Sequence, residues 1–216
     1  MFVGHYAAAL AAKAIEPRAP LWTLVGTAQL VDIAWSGLVM AGVEHMSFDT
    51  TLPGSPLVLY DMPWTHSLPA ALAWSAAALL VARLLRLPWA AAIAIGSTVF
   101  SHWVLDFLVH RPDLELWPGG EKVGLGWWNL PTFEKTLEMG LIAVAGAAWL
   151  WRRGRFERTA WPALLFLGAL VAVQSIGELT EPTGPAWAFA RLGLVVYLVV
   201  TALAFFADLG RNREAA

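Results

Sequence analysis

One short stretch of the sequence carries three ionisable side chains at a spacing that suits a binding or catalytic site. His102, Asp106 and His110 lie four residues apart within 101–113, which reads SHWVLDFLVHRPD. On a helix this spacing places the three side chains on one face. The residues between them are apolar, so each ionisable group needs a partner, a metal ion or water to offset the cost of burial. The pattern predicts a site for a metal ion or for protons; the alternative is a helix end whose His and Asp cap carbonyl groups or pair with each other.

The composition places this stretch in a membrane protein. Of 216 residues, 58% are hydrophobic and 14% are charged, and the mean hydropathy is +0.60, whereas an ordinary soluble domain has about 25% charged residues. Thirteen tryptophans fit this class, because Trp is enriched where the membrane meets water. The chain has no cysteine, so a metal ion would be held by nitrogen and oxygen. Without a basic patch, nothing in the sequence indicates nucleic-acid binding.

The apolar runs predict an all-α polytopic transmembrane helical bundle that forms a single integral membrane domain over residues 1–216. The first run, 2–15, is too short for a full span at about 1.5 Å per residue and predicts a half-inserted helix. Six longer runs predict spans at 21–43, 66–85, 89–110, 132–151, 161–177 and 186–209. A metal-site core is expected within residues 1–150, followed by two further spans within 160–209.

Positive charge predicts the orientation of the bundle. Ten Lys and Arg residues fall on one side: Lys13, Arg18, Arg83, Arg86, Arg152, Arg153, Arg155, Arg158, Arg211 and Arg213. The positive-inside rule makes this side, and with it the C-terminus, cytoplasmic. The loops at 46–65, 111–131 and 178–185 are then expected to face outward.

Depth in the bundle places further ionisable residues level with the first three. In an antiparallel pair of helices, residues equidistant from the turn lie at the same depth. His5 and Asp32 each lie 11 residues from the first turn, which is bounded by residues 16 and 21. His66 and His102 are centred on position 84, close to the next turn. The residues expected to converge in the outer half of the bundle are therefore His5, Asp32, His66, His102, Asp106 and Glu138.

Three histidines with two or three carboxylates in a dry bundle match the ligand sets of zinc, manganese and iron sites, and helical bundles host such sites. With one coordination position open, the metal would lower the pKa of a bound water to ~7 and supply hydroxide at neutral pH. His110 and Asp113, farther out on the same stretch, would carry protons or meet a polar group of the substrate. Glu138 is the third candidate proton carrier.

Simpler interpretations stand beside these for single residues. His5 alone is also explained as a polar residue at the membrane interface, and His66 with Ser67 as a helix cap. Asp32, in the middle of a predicted span, is better explained by a functional or ion-pair role. Glu44 and His45 are expected to be solvated in the outer headgroup region.

The chain resembles the YdjM-like family of membrane-bound metal-dependent hydrolases of bacterial and archaeal inner membranes. The resemblance extends to about residue 150 and rests on GH at 4–5, QLVD at 29–32, MPWTHSL at 62–68, SHWVLDFLVHRPDLEL at 101–116 and GLGWWN at 124–129. The His and Asp pattern of the family is also similar to that of helical zinc phospholipase C proteins. The resemblance implies an inner-membrane location and metal contacts from His5, Asp32, His66, His102 and Asp106.

These interpretations together predict a metal-dependent hydrolase in the membrane, with zinc preferred over manganese or iron. Phosphoester bonds of lipids or lipid-linked molecules are the expected substrates, because the site would lie at headgroup depth. A rival prediction is a transporter that moves protons or divalent ions along the same residues, although transporters more often show broken helices or paired repeats and no repeat is present. A third is a metal-stabilised scaffold with a closed site of four protein ligands.

Overall fold

A computed structural model describes residues 1–154, 160–180 and 184–208, and this part of the chain is mostly helical. Its α-helices are α1 (His5–Ile15), α2 (Leu21–Ala28), α3 (Leu30–Met40), α4 (Leu68–Leu84), α5 (Trp89–Val109), α6 (Pro131–Gly154), α7 (Trp161–Leu179) and α8 (Ala186–Asp208). Its strands are β1 (His45–Phe48), β2 (Leu57–Asp61), β3 (Leu114–Glu115) and β4 (Lys122–Val123). The predicted all-α class is confirmed, with two small hairpins added in the loops that were expected to face outward.

Three of these helices, α5, α7 and α8, are long and apolar enough to cross a membrane. The pair α2 and α3 passes the same test together, so the described residues contain three or four such segments. Helix α4 is shorter, at 17 residues, and α6 carries acidic residues in its first turns and arginines in its last. The structure is therefore consistent with a membrane protein, whereas the count of six spans stays a prediction. Arg155, Arg158, Arg211 and Arg213, four of the ten residues that predicted the orientation, lie outside the described residues.

The predicted span over 21–43 consists of two helices, because the chain breaks at Gln29 and the two halves are bent by 48° relative to each other. The break has an identifiable cause, since a side chain inserts into the helical hydrogen bonding there. The carbonyl oxygen of Ala28 pairs with Nδ1 of His102 at 2.8 Å. The side-chain amide of Gln29 donates to the carbonyl oxygen of Phe2 at 3.0 Å. The sequence has neither Gly nor Pro at position 29, so the apolar pattern runs through the break without a signal.

The short helix α1 lies at the centre of the fold, packed against α2, α5 and α6. Tyr6 and Leu10 are fully buried in a core shared with Leu21 and Leu24 of α2. At its C-terminal end, Lys13 is buried and donates to the carbonyl oxygen of Ala19 at 2.8 Å, and its ammonium group pairs with the carboxylate of Asp208 in α8 at 3.0 Å. Helix α1 is therefore as short as the sequence indicated, and the bundle surrounds it.

The two outer loops pack against each other. Strands β1 and β2 pair antiparallel, as do β3 and β4. The guanidinium of Arg111 joins the loops, because it donates to the carbonyl oxygens of Pro53 and Ser55 and to the side-chain oxygen of Asn129. Gly54 has a positive φ of 68°, and a Cβ there would lie 2.2 Å from the carbonyl oxygen of Trp128. These contacts hold residues 45–61 and 110–130 together as one layer, here called the outer cap.

Candidate metal centre

Asp106, in the last turn of α5, lies at the centre of a cluster of buried histidines. Its Oδ1 is 3.1 Å from Nε2 of His5 and 3.4 Å from Nε2 of His110. Its Oδ2 is 3.1 Å from Nε2 of His102 and 3.7 Å from Nε2 of His66. The four imidazoles and the carboxylate are at most 3% exposed. Each oxygen of Asp106 thus faces a different pair of histidines.

Asp32 is the second carboxylate of the cluster. Its Oδ1 lies 3.4 Å from Nε2 of His66 and 3.5 Å from Nε2 of His102. Its Oδ2 accepts a hydrogen bond from the hydroxyl of Tyr197 in α8 at 3.2 Å. The side chain of Asp32 keeps 15% exposure, against 3% for His66 and 0% for His102 beside it. Asp32 is therefore the most exposed of the residues that were predicted to contact metal.

The structure thus brings together the five residues predicted to contact metal: His5, Asp32, His66, His102 and Asp106. Their elements differ, and the break at Gln29 is what places Asp32 in the first turn of α3. His66 directly precedes the N-cap of α4, where the hydroxyl of Ser67 accepts from the backbone N–H of Ala70 at 3.3 Å. The interpretation as a cap therefore applies to Ser67, and His66 faces the cluster.

The distances in the cluster suit ligands of one ion. Ligand atoms ~2.0–2.1 Å from a tetrahedral zinc ion lie about 3.3 Å from each other. The four separations that join Nε2 of His66 and His102 to the oxygens of Asp32 and Asp106 run from 3.1 to 3.7 Å. Among the described residues, Nε2 of His5 and Nε2 of His102 are buried without a hydrogen-bond partner. Buried nitrogens that approach carboxylates without donor geometry fit a shared cation, so the cluster is able to bind a metal ion.

Three of the histidines are oriented by a partner on their other ring nitrogen. Nδ1 of His102 pairs with the carbonyl oxygen of Ala28 at 2.8 Å. Nδ1 of His110 lies 2.9 Å from Oδ1 of Asp113, and Nδ1 of His66 lies 2.8 Å from the hydroxyl of Thr65. Metal-binding histidines in general have such outer partners, which fix the tautomer and the ring orientation. In all three, Nε2 is the nitrogen that faces Asp106.

His110 connects the cluster to the outer cap. Its ring lies 4.1 Å from that of Trp128, centroid to centroid, and its two nitrogens face Asp106 and Asp113. Burial alone would lower the pKa of His110, but the carboxylates of Asp106 and Asp113 outweigh it and raise the pKa above its ordinary value. Both residues predicted as outer proton carriers on this stretch are therefore in place beside the cluster.

Glu138, the third candidate proton carrier, contacts the backbone that precedes α1. Its Oε1 accepts from the N–H groups of Phe2 and Gly4 at 2.6 and 2.7 Å, and its Oε2 accepts from the amide of Gln174 at 2.9 Å. The α-amino group of residue 1 lies 3.1 Å from Oδ1 of Asp106. These contacts hold the segment that leads into His5, and the proton-carrier role of Glu138 stays a prediction.

The burial of Glu44 differs from the sequence-based expectation. It was expected to be solvated, but it is 1% exposed and lies behind His66. Its carboxylate accepts from the backbone N–H groups of Trp64 and Thr65 and from the Thr65 hydroxyl. Burial raises the pKa of Glu44 above its ordinary value, against the opposing effect of these hydrogen bonds. Its neighbour His45 is exposed, as expected, and pairs with Asp61 at 2.7 Å.

Sequence reasoning also missed Thr65 and Tyr197. Glu44 and Thr65 are 21 residues apart and meet because the chain between them folds back through the β1–β2 hairpin. Tyr197 lies in α8, more than 160 positions from Asp32, in a part of the chain where no motif was recognised. The only local signal for any of them is that Thr65 directly precedes His66.

Comparisons of this chain with protein-family models, with curated proteins and with solved structures find no match. The resemblance to the YdjM-like family therefore stays a prediction from the quoted segments.

Proposed function

We propose that this chain is a membrane-embedded metal-dependent hydrolase of phosphoester bonds in lipids or lipid-linked molecules. The observation that carries the proposal is that four buried histidines present Nε2 to Asp106, and that two of them, His66 and His102, also present it to Asp32. A cation is the simplest common partner for these atoms, and His5, Asp32, His66, His102 and Asp106 would hold it. A bound divalent cation, with zinc preferred over manganese or iron, would polarise a phosphoryl oxygen and acidify a water molecule.

Residues of the chain supply the remaining requirements of hydrolysis. Nε2 of His110 faces Asp106 and its Nδ1 faces Asp113, so His110 can hold a proton at the edge of the cluster and Asp113 can orient the ring. The cluster also contains more donors than the four of a closed structural site. This surplus supports a reactive site over the rival interpretation as a metal-stabilised scaffold.

The position of the most exposed proposed ligand supports the proposed substrate class. Asp32 is its partly exposed ligand and lies on α3, half of an apolar helix pair that is long enough to cross a membrane. A molecule that reaches Asp32 along this surface arrives from the membrane. An anionic phosphoester at the end of a lipid fits both the apolar approach and a cation at the end of it.

A second candidate, the transport of protons or divalent ions, gains support from one observation. The helix pair α2 and α3 is broken next to the cluster, and broken helices that carry ion-binding residues are common in transporters. The carbonyl oxygen released by this break is occupied by His102. The two candidates use the same ligands, so they differ in turnover and not in metal binding.

The test is elemental analysis by mass spectrometry of protein purified in detergent without chelator. We expect near-stoichiometric zinc, manganese or iron in the wild type and its loss in His102→Ala. His45→Ala is the matched control, because His45 is exposed and pairs with Asp61 outside the cluster. Absence of metal from the wild type would contradict the proposal.

The same preparations separate the candidates. Metal-dependent release of phosphate or headgroup from phospholipid vesicles that contain the protein supports the hydrolase. Divalent-ion or proton flux across the vesicles without release supports the transporter. Bound metal with neither activity supports the scaffold.

A further inference from the structure

A second buried carboxylate lies behind His66, on the side of the ring that faces away from the cluster. Oε1 of Glu44 accepts from the backbone N–H groups of Trp64 at 2.8 Å and Thr65 at 3.0 Å. Oε2 accepts from the hydroxyl of Thr65 at 2.7 Å. These three hydrogen bonds fix the carboxylate in the turn that leads into α4.

The direction of these hydrogen bonds determines the tautomer of His66. A threonine hydroxyl has one hydrogen, and that of Thr65 points to Glu44. Toward Nδ1 of His66, 2.8 Å away, Thr65 therefore offers a lone pair, so the hydrogen of the neutral ring must be on Nδ1. Nε2 then carries a lone pair, and this is the atom that lies 3.4 Å from Asp32 and 3.7 Å from Asp106.

We propose that Glu44 and Thr65 are positioning residues that hold His66 in the tautomer with a free Nε2 lone pair, the form that binds a cation. Without the carboxylate, the hydroxyl of Thr65 is free to donate to Nδ1, which leaves the hydrogen on Nε2 and blocks the lone pair. The inference rests on the metal site proposed above, and it adds two residues that contact neither the cation nor the substrate.

A purely structural role for the same contacts would have different consequences. Glu44 follows α3 and Thr65 precedes α4, so the pair also joins these helices. If joining them were its only function, its loss would lower thermal stability and leave the His66 ring unchanged. The position of the ring hydrogen therefore separates the two roles.

The test uses Thr65→Val, which removes the hydroxyl at nearly constant shape, and Thr65→Ser, which retains it. The first measurement is the tautomer of His66 in metal-free, ¹⁵N-histidine-labelled protein in detergent, read from the two ring ¹⁵N shifts and assigned by their loss in His66→Ala. The second is zinc affinity by competition with a chromophoric chelator. Asp61→Asn is the matched control, because it removes a carboxylate from a histidine outside the cluster.

We expect the wild type and Thr65→Ser to have the hydrogen on Nδ1 and to bind zinc within threefold of each other. Thr65→Val should lose the single tautomer and bind zinc about 10- to 100-fold more weakly, the range found when outer partners of metal ligands are removed. Asp61→Asn should behave as the wild type.

Glu44→Gln gives a second, independent reading, because it keeps the packing and replaces one acceptor oxygen by a donor. It should shift the His66 tautomer in the same direction as Thr65→Val, and it decides the question if Thr65→Val does not fold. Wild-type tautomer and affinity in the folded variants would overturn the inference. If the wild type binds no zinc, the proposed function fails, and the ring ¹⁵N shifts still decide whether Glu44 and Thr65 set the tautomer.

Discussion

Asp106 presents each of its carboxylate oxygens to a different pair of imidazoles, so a change at this residue disturbs four histidines at once. In Asp106→Asn one oxygen becomes an NH₂ group, which cannot bind a cation. We expect this variant to retain less than about a tenth of the wild-type metal, because Asp106 is a proposed ligand and the loss of an outer partner alone costs about tenfold in affinity. Asp32→Asn should retain more, since Asp32 faces two histidines and is partly exposed.

Elemental analysis measures the metal content of the purified variants and so tests this order. Asp61→Asn is the control, because it neutralises a carboxylate beside an exposed histidine. Full metal content in Asp106→Asn would show that Asp106 is not a ligand.

Tyr197 extends the cluster into α8. Its hydroxyl donates to Oδ2 of Asp32 at 3.2 Å, which leaves Oδ1 toward the histidines. Tyr197→Phe should weaken zinc binding by about tenfold with the fold retained, since the hydroxyl orients a ligand without being one. Chelator competition measures the change, and Tyr60→Phe, at the exposed position of strand β2, is the control. Equal zinc affinities in the two variants would show that Tyr197 does not contribute to the site.

Among the helices, the break at Gln29 decides where the ligands lie. The break leaves the carbonyl oxygen of Ala28 available to His102, and α3 begins two residues before Asp32. The amide of Gln29 pairs in turn with the carbonyl oxygen of Phe2, three residues before His5. One interruption of a helix thus orients ligands on α1, α3 and α5.

Gln29→Leu should therefore destabilise the protein. The substitution leaves the carbonyl oxygen of Phe2 buried without this donor, which costs about 1–3 kcal/mol. Thermal unfolding in detergent measures the effect. Thr136→Ala is the control, because the exposed Thr136 hydroxyl bonds only within its own helix, and surface changes of this kind stay within about 0.5 kcal/mol. An unchanged melting temperature in Gln29→Leu would show that the break needs no support from this side chain.

The helix α5 shows what the sequence can predict about this site. The spacing of His102, Asp106 and His110 is local, and a continuous helix converts it directly into one face. Depth along antiparallel helices brought His5 and Asp32 to the same level although the break at Gln29 was not foreseen. The depth of a residue depends on its distance along the chain from the turn. A bend in one helix changes the direction of the helix more than the depth of its residues.

The partners behind the ligands could not be predicted in this way. Glu44 reaches Thr65 through the β1–β2 hairpin, and Tyr197 reaches Asp32 from the far end of the chain. Such contacts depend on tertiary packing between distant segments, which no local spacing encodes. A buried Glu44 looks the same in the sequence as a solvated one, since both follow an apolar helix and precede a loop.

For the molecule as a whole, the orientation in the membrane is the prediction that the cluster most needs, because it decides which side supplies the substrate. Ser55 lies in the outer cap, and Arg86 lies in the turn between α4 and α5. If α4 crosses the membrane, these residues are on opposite sides. The chain has no cysteine, so Ser55→Cys and Arg86→Cys each introduce a single thiol. We expect a membrane-impermeant maleimide to label Ser55→Cys in intact cells and to label Arg86→Cys only after permeabilisation, because arginine-rich turns stay in the cytoplasm. Labelling of both in intact cells would show that α4 does not cross, and the reverse pattern would place the cap and the metal cluster on the cytoplasmic side.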